Sequence, residues 1–225
     1  MIDIHSHFLP YVDDGSPSAE ISLAMLKMAA GQGVTDIICT PHYRGNYKPE
    51  KEGLIKDFKK FCELKDAANI GVKLYLGEEV FYDARLFGDI KTAPFSTLAG
   101  GKYVLTEFSP EAVTGVYDAA LSVLSQGYIP VIAHIERCVR LSEDYIADVR
   151  ALGALIQVNA CSFAGREKSF SERGFTVFFP KGWWIWWRAT FIIRVITVWI
   201  RLTASCAANS ARTWRKRFSC RTQKK

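Results

Sequence analysis

No tryptophan occurs in the first 182 residues, and no histidine after His134. No aspartate follows Asp148, and acidic residues nearly vanish beyond position 165. Residues 166–225 hold 14 Lys/Arg against 2 Asp/Glu, a net of +12, whereas residues 1–165 hold 15 against 21, a net of −6. The overall charge of +6 is therefore an average of two unlike segments. All six tryptophans (Trp183, Trp184, Trp186, Trp187, Trp199, Trp214) lie in the second, and all four histidines in the first. Such asymmetry ordinarily marks a basic arm for nucleic acid or membrane. The six cysteines, Cys39, Cys62, Cys138, Cys161, Cys206 and Cys220, form no C-x-x-C pair. That excludes a zinc knuckle or a disulfide framework and predicts reduced thiols in a cytoplasmic protein. The opening "MIDIHSH" lacks a basic stretch followed by an apolar run, so no secretory leader is expected.

What is present suffices for one sizeable core: 225 residues, 49% of them hydrophobic. Short apolar runs alternate with helical patterns. "MIDI", "TDIICT", "VKLYLGEEV", "KYVLTEF", "IPVIAH" and "ALIQVNA" read as strands buried on both faces, because their apolar residues are nearly continuous. Between them, "AEISLAMLKMAAGQG" carries a capping Ser18 before it, Glu20 in its first turn and Gly33 beyond its end. "PEKEGLIKDFKKFCELKDAA", "PEAVTGVYDAALSVLSQG" and "SEDYIADVRALG" are predicted helices of the same kind. This alternation, sustained to residue 160, predicts an α/β protein with a parallel sheet, a barrel or a distorted one. In such folds the chemistry gathers at the C-terminal ends of the strands.

The polar residues at those ends form a consistent set. His5 and His7 close the first run as H-x-H, and a strand period of two points both side chains the same way. Asp13 and Asp14 follow in "YVDDG", His42 in "CTPH", Glu78 and Glu79 in "LGEEV", Glu107 in "LTEF" and His134 in "IAHIER". A lone strand-end histidine is commonly a hydrogen-bonded structural residue. Here every histidine of the chain takes that topological position, which core packing explains poorly. Imidazoles mixed with carboxylates suit Mn, Fe or Zn rather than calcium. Several such groups can hold two or more ions.

"MIDIHSHFLPYVDDGSPS", "CTPHY", "LGEEV", "VLTEF" and "AHIER" resemble the motifs of the PHP (polymerase and histidinol phosphatase) superfamily. More closely, they resemble its bacterial protein-tyrosine phosphatases encoded with capsule and exopolysaccharide synthesis genes. The likeness covers residues 1–165. It implies a distorted (β/α)7-type barrel holding three ions, usually manganese, with Fe or Zn as alternatives. The metal ligands it implies are His5, His7, Asp14, His42, Glu79, Glu107 and His134. Glu79 is preferred to Glu78 because the family pattern G-x-E matches Gly77-Glu78-Glu79. Asp14 is further implied in catalysis, and Arg137 in holding the phosphate, a task that suits a forked guanidinium. The implied reaction is hydrolysis of phosphotyrosine in a protein, such as a capsule-synthesis tyrosine kinase. The implied location is cytoplasmic, with membrane contact through that partner and no specific nucleic-acid binding. Ile135 stands where the family has Pro, and Cys138 where it has an aromatic residue; neither change removes a ligand. C-x5-R is absent from residues 1–165, so no phosphocysteine route is expected there. Cys206 and Arg212 have that spacing without a glycine-rich cradle.

The family closes its site with a late strand ending in Ser-Asp-x-His, which the chain lacks. One base back, the codons of the tryptophan-rich segment read differently. Trp183-Trp184 then forces Val, Trp184-Ile185 forces Asp and Trp186-Trp187 forces Val. The positions between and after them permit V-D-L-V-A-S-D-F-H-H, a buried strand ending in the absent motif. Residues 166–225 are therefore expected to be an out-of-frame tail, with the shift between about Phe163 and Lys181. On that reading the barrel lacks its last strand and helix, and activity is impaired. Two other readings remain. A different PHP phosphoesterase, such as a histidinol phosphatase, would share the site. A membrane-associated, non-enzymatic protein would insert Gly182–Ile200 (182–200), near the minimum span, although Arg188 and Arg194 inside it would each cost about 2.5–3.5 kcal/mol at mid-bilayer.

Overall fold

A computed structural model of the chain describes residues 1–159. The tail from 166 to 225, with the tryptophans, the 182–200 segment and the Cys206–Arg212 pair, lies outside the described residues. So does the end of the last candidate strand, at Ala160. Among the described residues no helix is long and apolar enough to cross a membrane, and Cys39, Cys62 and Cys138 are free thiols.

In chain order the elements are β1 (Ile2–Ser6), α1 (Ala19–Gly31), β2 (Asp36–Cys39), β3 (His42–Tyr43), α2 (Lys51–Ala67), β4 (Lys73–Leu76), β5 (Glu79–Phe81), β6 (Tyr103–Glu107), α3 (Val116–Ser125), β7 (Ile129–Ile132), α4 (Glu143–Ala151) and β8 (Leu155–Ile156). Two short 3-10 turns add Leu98–Gly100 and Ile135–Arg137. All strand pairings are parallel. They form a three-stranded sheet, β1-β2-β4, and a five-stranded sheet, β3-β5-β6-β7-β8. The fold is thus α/β with parallel sheets, as the alternation of elements predicts.

The near-continuous apolar runs are explained by which side each residue faces. Ile37 packs under α1 and α2 with Phe8, Leu26, Leu54, Phe61 and Val72. Its neighbour Ile38 joins Leu98, Leu105, Val131 and Ala133 in a second cluster. Similarly Val104 turns to Phe87, Ile90 and Phe95, whereas Leu105 turns to Ile38. Ile132 packs with Val116, Ala120, Ile146 and Val149 from α3 and α4, whereas Val131 faces the shared cluster. Ile4 of β1 and Leu155 of β8 pack against that same cluster, so strands of both sheets contribute to one interior.

The helices begin where short-range chemistry favours it. Ser18 accepts from the Ile21 amide at 3.3 Å and Ser142 from Tyr145 at 3.2 Å, the N-cap arrangement. Gly33, beyond α1, has φ +86, a conformation that favours glycine.

Three expectations need correction. "VKLYLGEEV" is not one strand but two, β4 and β5, in different sheets. The chain breaks at Gly77, whose amide donates to the Cys39 carbonyl at 2.9 Å. A Cβ there would lie 3.1 Å from the Leu98 Cα. Nor is every strand buried on both faces: β4 alternates exposed and half-buried residues because it ends its sheet. The helix expected from Pro110 starts only at Val116, because residues 110–115 form turns and Gly115 takes φ +88. The segment 82–97 was not assigned an element, yet it seats Phe87, Ile90 and Phe95 in the core. Gln126 satisfies its backbone, accepting from the Ile90 amide and donating to the Phe87 carbonyl, each at 2.8 Å.

Phe61, 1% exposed, anchors α2 against the first sheet. Phe61→Ala should lower stability by about 3–5 kcal/mol. Ile55→Ala, on the outer face at 36% exposure, should cost less than about 1 kcal/mol. Urea unfolding followed by helical circular dichroism measures both.

Candidate metal centre

His5 lies within β1, and His7 follows it by one period. Both rings turn the same way, with His5 Nε2 at 3.1 Å and His7 Nε2 at 3.3 Å from Glu79 Oε2. His42 follows the second strand as expected, but Glu79 does not end the third. They open the short strands β3 and β5 and are direct partners in register. His42 Nδ1 stands 3.0 Å from the same Oε2. His134, two residues beyond β7, reaches Glu79 Oε1 at 2.7 Å. One buried carboxylate therefore has four imidazoles around it, delivered by the ends of three strands, β1, β3 and β7.

Glu107 ends β6 with its oxygens 3.7 Å from His42 Nδ1 and 3.8 Å from His134 Nε2. Asp14 lies at the rim, its Oδ1 3.4 Å from His42 Nε2 and its side chain more than a third exposed. Arg137, half-buried, ends the turn that follows His134. Its charge acts on both Glu107 and His134. Apart from Glu78, the sequence-predicted residues thus share one neighbourhood. Glu78 points elsewhere: buried, it accepts from the Ser96 amide at 2.6 Å, and burial pushes its carboxyl up to about 7.

Among the described residues two groups have the geometry to hold an ion: His5, Glu79 and His134, and His7, His42 and Glu79. Neither Glu79 Oε2 nor His42 Nδ1 makes a well-directed hydrogen bond, although 3.0 Å separates them. Ligand atoms around one ion, at bonds of roughly 2.0–2.2 Å, stand roughly 3.0–3.6 Å apart. The spacings around Oε2 fall in that range, so the residues fit a divalent ion, and Glu79 can be shared between two.

A second ring of residues sets the ligand atoms; of its two members the sequence singles out Asp13 but not Gln157. Gln157 Oε1 accepts from the His134 amide at 2.6 Å and lies 3.2 Å from His5 Nδ1. An oxygen there places the His5 proton on Nδ1 and leaves the Nε2 lone pair facing Glu79. Asp13 Oδ2 does the same for His7 Nδ1 at 2.6 Å and also accepts from the His42 amide at 3.0 Å. The polar Gln157 inside an apolar run was a usable signal, since a buried amide must find partners. Arg44 was missed as well. Its Nη1 meets both Glu107 oxygens, at 3.0 and 3.1 Å.

The electrostatics follow from this arrangement. Burial opposes charge on Glu79, but His5, His134 and His42 outweigh it and hold the carboxyl well below its usual range. Burial also keeps His134 neutral, down at about 4. Glu107 is pushed up by burial and by the Glu79 charge, partly offset by Arg44. Burial disfavours a charged His7, yet its bonds to Asp13 and Glu79 prevail and lift it to about 10. The His7 ion pair thus adds stability to the metal-free fold fully below pH 6.5, and that stability is lost as pH rises through 10.

The backbone bears strain where the ligands need it. His134 has φ +30, a left-handed conformation held by the Gln157 bond and costing about 1–3 kcal/mol. Gly15, the glycine of "VDDG", has no room for a side chain: a Cβ would lie 2.4 Å from His7 Cβ and 2.6 Å from the His7 carbonyl oxygen.

The family described as "Capsular polysaccharide synthesis, CpsB/CapC" matches residues 1–177. CapC of Staphylococcus aureus is 33% identical over 171 residues, 73% of this chain and 66% of that protein. The tyrosine-protein phosphatase CpsB of Streptococcus agalactiae is 32% identical over 179 residues, 77% of this chain and 72% of that protein. The chain thus spans about two thirds to seven tenths of these relatives. Among solved structures, one from work on YwqE of Bacillus subtilis and CpsB of Streptococcus pneumoniae, described as metal-dependent tyrosine phosphatases, superposes with a TM-score of 0.69. It is 31% identical and covers 73% of this chain and 68% of that one.

Gly15→Ala should weaken divalent-ion binding at least about tenfold while far-ultraviolet circular dichroism stays native, because the added methyl displaces His7 rather than the core. Calorimetric titration with Mn(II) reports the change. In the unsubstituted protein, the same titration should show affinity rising from about pH 6 to pH 9, by at most about tenfold per unit, with proton release. The proton held by His7 must leave before Nε2 can act as a ligand; an affinity independent of pH would contradict the assignment.

Proposed function

Because the chain belongs to the CpsB/CapC family of capsular polysaccharide synthesis proteins, we propose that it descends from metal-dependent phosphatases that hydrolyse phosphotyrosine in proteins. The observation that carries this reading is the buried Glu79 carboxylate enclosed by four imidazoles and shared by two groups with the geometry to hold an ion. The names borne by the matched relatives supply the reaction.

His5, Glu79 and His134 would hold one ion, and His7, His42 and Glu79 a second. Glu107 and Asp14 contribute to a third position, as the family resemblance implies. Mn(II) is the favoured ion, with Fe or Zn as alternatives from the mixed N/O donor set. Bound divalent ions supply Lewis acidity, easing deprotonation of water and neutralising phosphate oxygens. The chain's own groups do the rest. Gln157 and Asp13 orient His5 and His7. Arg137 presents a forked guanidinium to the equatorial phosphate oxygens. Asp14, the carboxylate nearest solvent, takes the proton of the attacking water and returns it to the bridging oxygen as the P–O bond breaks, so the tyrosine leaves as its phenol.

The finer architecture belongs to the same reading: a distorted PHP-type barrel over residues 1–165, followed by an out-of-frame tail over 166–225 that omits the final strand. The natural substrate is then a cytoplasmic phosphotyrosine protein, a capsule-synthesis tyrosine kinase being the expected one. This chain retains the ligands of the first seven positions and lacks the closing Asp and His.

The test compares Mn(II)-dependent hydrolysis of a phosphotyrosine peptide by this chain and by a version with the reading frame restored. The restored version should turn over at least about a hundredfold faster and lose activity on His5→Ala or Glu79→Gln. Equal, His5-dependent rates for both chains would remove the claim of damage. Absence of turnover by the restored version would remove the phosphatase reading.

A further inference from the structure

Arg44 and Tyr47 face each other across a two-residue hairpin between the ligand His42 and α2. Each amide donates to the other's carbonyl, both at 2.7 Å. Gly45 takes φ +50 in the turn, as the first central position of a type II′ hairpin requires. Directly opposed residues of an antiparallel pair carry their side chains on one face. The hairpin therefore presents a guanidinium and a phenol ring together, and both reach the candidate metal centre. Arg44 touches Glu107 through Nη1 alone, at 3.0 and 3.1 Å. Among the described residues nothing takes its Nε or Nη2, and its side chain is 35% exposed. Tyr47 is half-buried, its ring stacked over His42 with centroids 6.3 Å apart and planes 27° from parallel.

We propose that this hairpin reads the phosphotyrosine side chain: Tyr47 packs against the substrate's aryl ring, while Nε and Nη2 of Arg44 bind its phosphate. The inference rests on the phosphatase reading above and adds what selects an aryl phosphate over an alkyl one. A tetrahedral phosphate needs donors that are not already committed, and Arg44 has three such N–H groups without leaving Glu107. A phosphotyrosine ring entering beside His42 meets Tyr47, whose ring stacks over that histidine. Offset or edge contacts between rings favour it over a serine or threonine side chain. Arg44 is common to every phosphate ester, and Tyr47 discriminates among them.

The test is binding by the full chain loaded with Mn(II), with bound metal quantified for each variant. Three ligands are used: a peptide carrying non-hydrolysable phosphonomethyl-phenylalanine, the same peptide carrying the phosphonate analogue of phosphoserine, and inorganic phosphate. Tyr47→Ala should weaken the aryl phosphonate about fivefold and leave the alkyl phosphonate and inorganic phosphate within about twofold. Tyr47→Phe should bind like the unsubstituted chain. Arg44→Ala should weaken all three ligands about tenfold or more, with Arg44→Lys in between. An equal loss on aryl and alkyl ligands in Tyr47→Ala, or none, overturns the selectivity role. Unchanged phosphate affinity in Arg44→Ala overturns the phosphate role, and failure of the unsubstituted chain to bind any phosphonate overturns both. Failure of the phosphatase reading shows separately, as absent turnover by the frame-restored chain with these binding ratios intact.

Discussion

The Glu79 carboxylate is fully buried, and an ionised carboxylate cannot remain in that setting without compensation. Its compensation comes from His5, His7, His42 and His134, which converge on its two oxygens from the ends of three strands, β1, β3 and β7. Moving any of those strands by one residue would turn its histidine to the opposite face and leave the charge unmatched. The register pair His42 and Glu79 across β3 and β5, and the H-x-H period of β1, are thus tied to one electrostatic requirement. Divalent ions meet that requirement better than imidazolium alone, because protonated histidines there would themselves be buried charges.

Rigidity around this carboxylate comes from parts of the molecule that hold no ion. Asp13 fixes His7 and the His42 amide, while Gln157 fixes His5 and the His134 backbone from 152 and 23 residues away. Gly15 lets the "VDDG" turn close onto His7, and the left-handed backbone at His134 aims its ring inward. Apolar packing on the far side of the strands carries these costs. Alternate residues of β2, β6 and β7 face either the helices or the shared interior cluster. The candidate ligands sit at the ends of elements whose middles are doubly buried.

Two adjacent glutamates show how little separates a structural carboxylate from a functional one. Glu79 begins β5 and is drawn well below its usual range by imidazoles. Glu78, one residue earlier, lies in the gap between β4 and β5, ties down the Ser96 amide and is pushed up to about 7. Both are buried and both are acidic residues in one tripeptide. Backbone geometry alone assigns them opposite environments.

The alternation of apolar runs and helical periods determined the α/β class, and the Ser18 cap and Gly33 stop of the first helix were legible because they depend on neighbouring residues. The H-x-H spacing and the position of every histidine after an apolar run were equally local signals, and they identified the imidazoles of the centre. The choice of Glu79 over Glu78 came from a family motif, since periodicity does not distinguish them. Only the tertiary structure decided that Glu79 is shared, that "VKLYLGEEV" divides between two sheets, and that Asp13, Gln157 and Arg44 serve the same centre. Those facts depend on strand register and on contacts spanning up to 152 residues, which no local pattern encodes: side-chain chemistry is written along the chain, but a shared charge exists only where folding brings distant donors together.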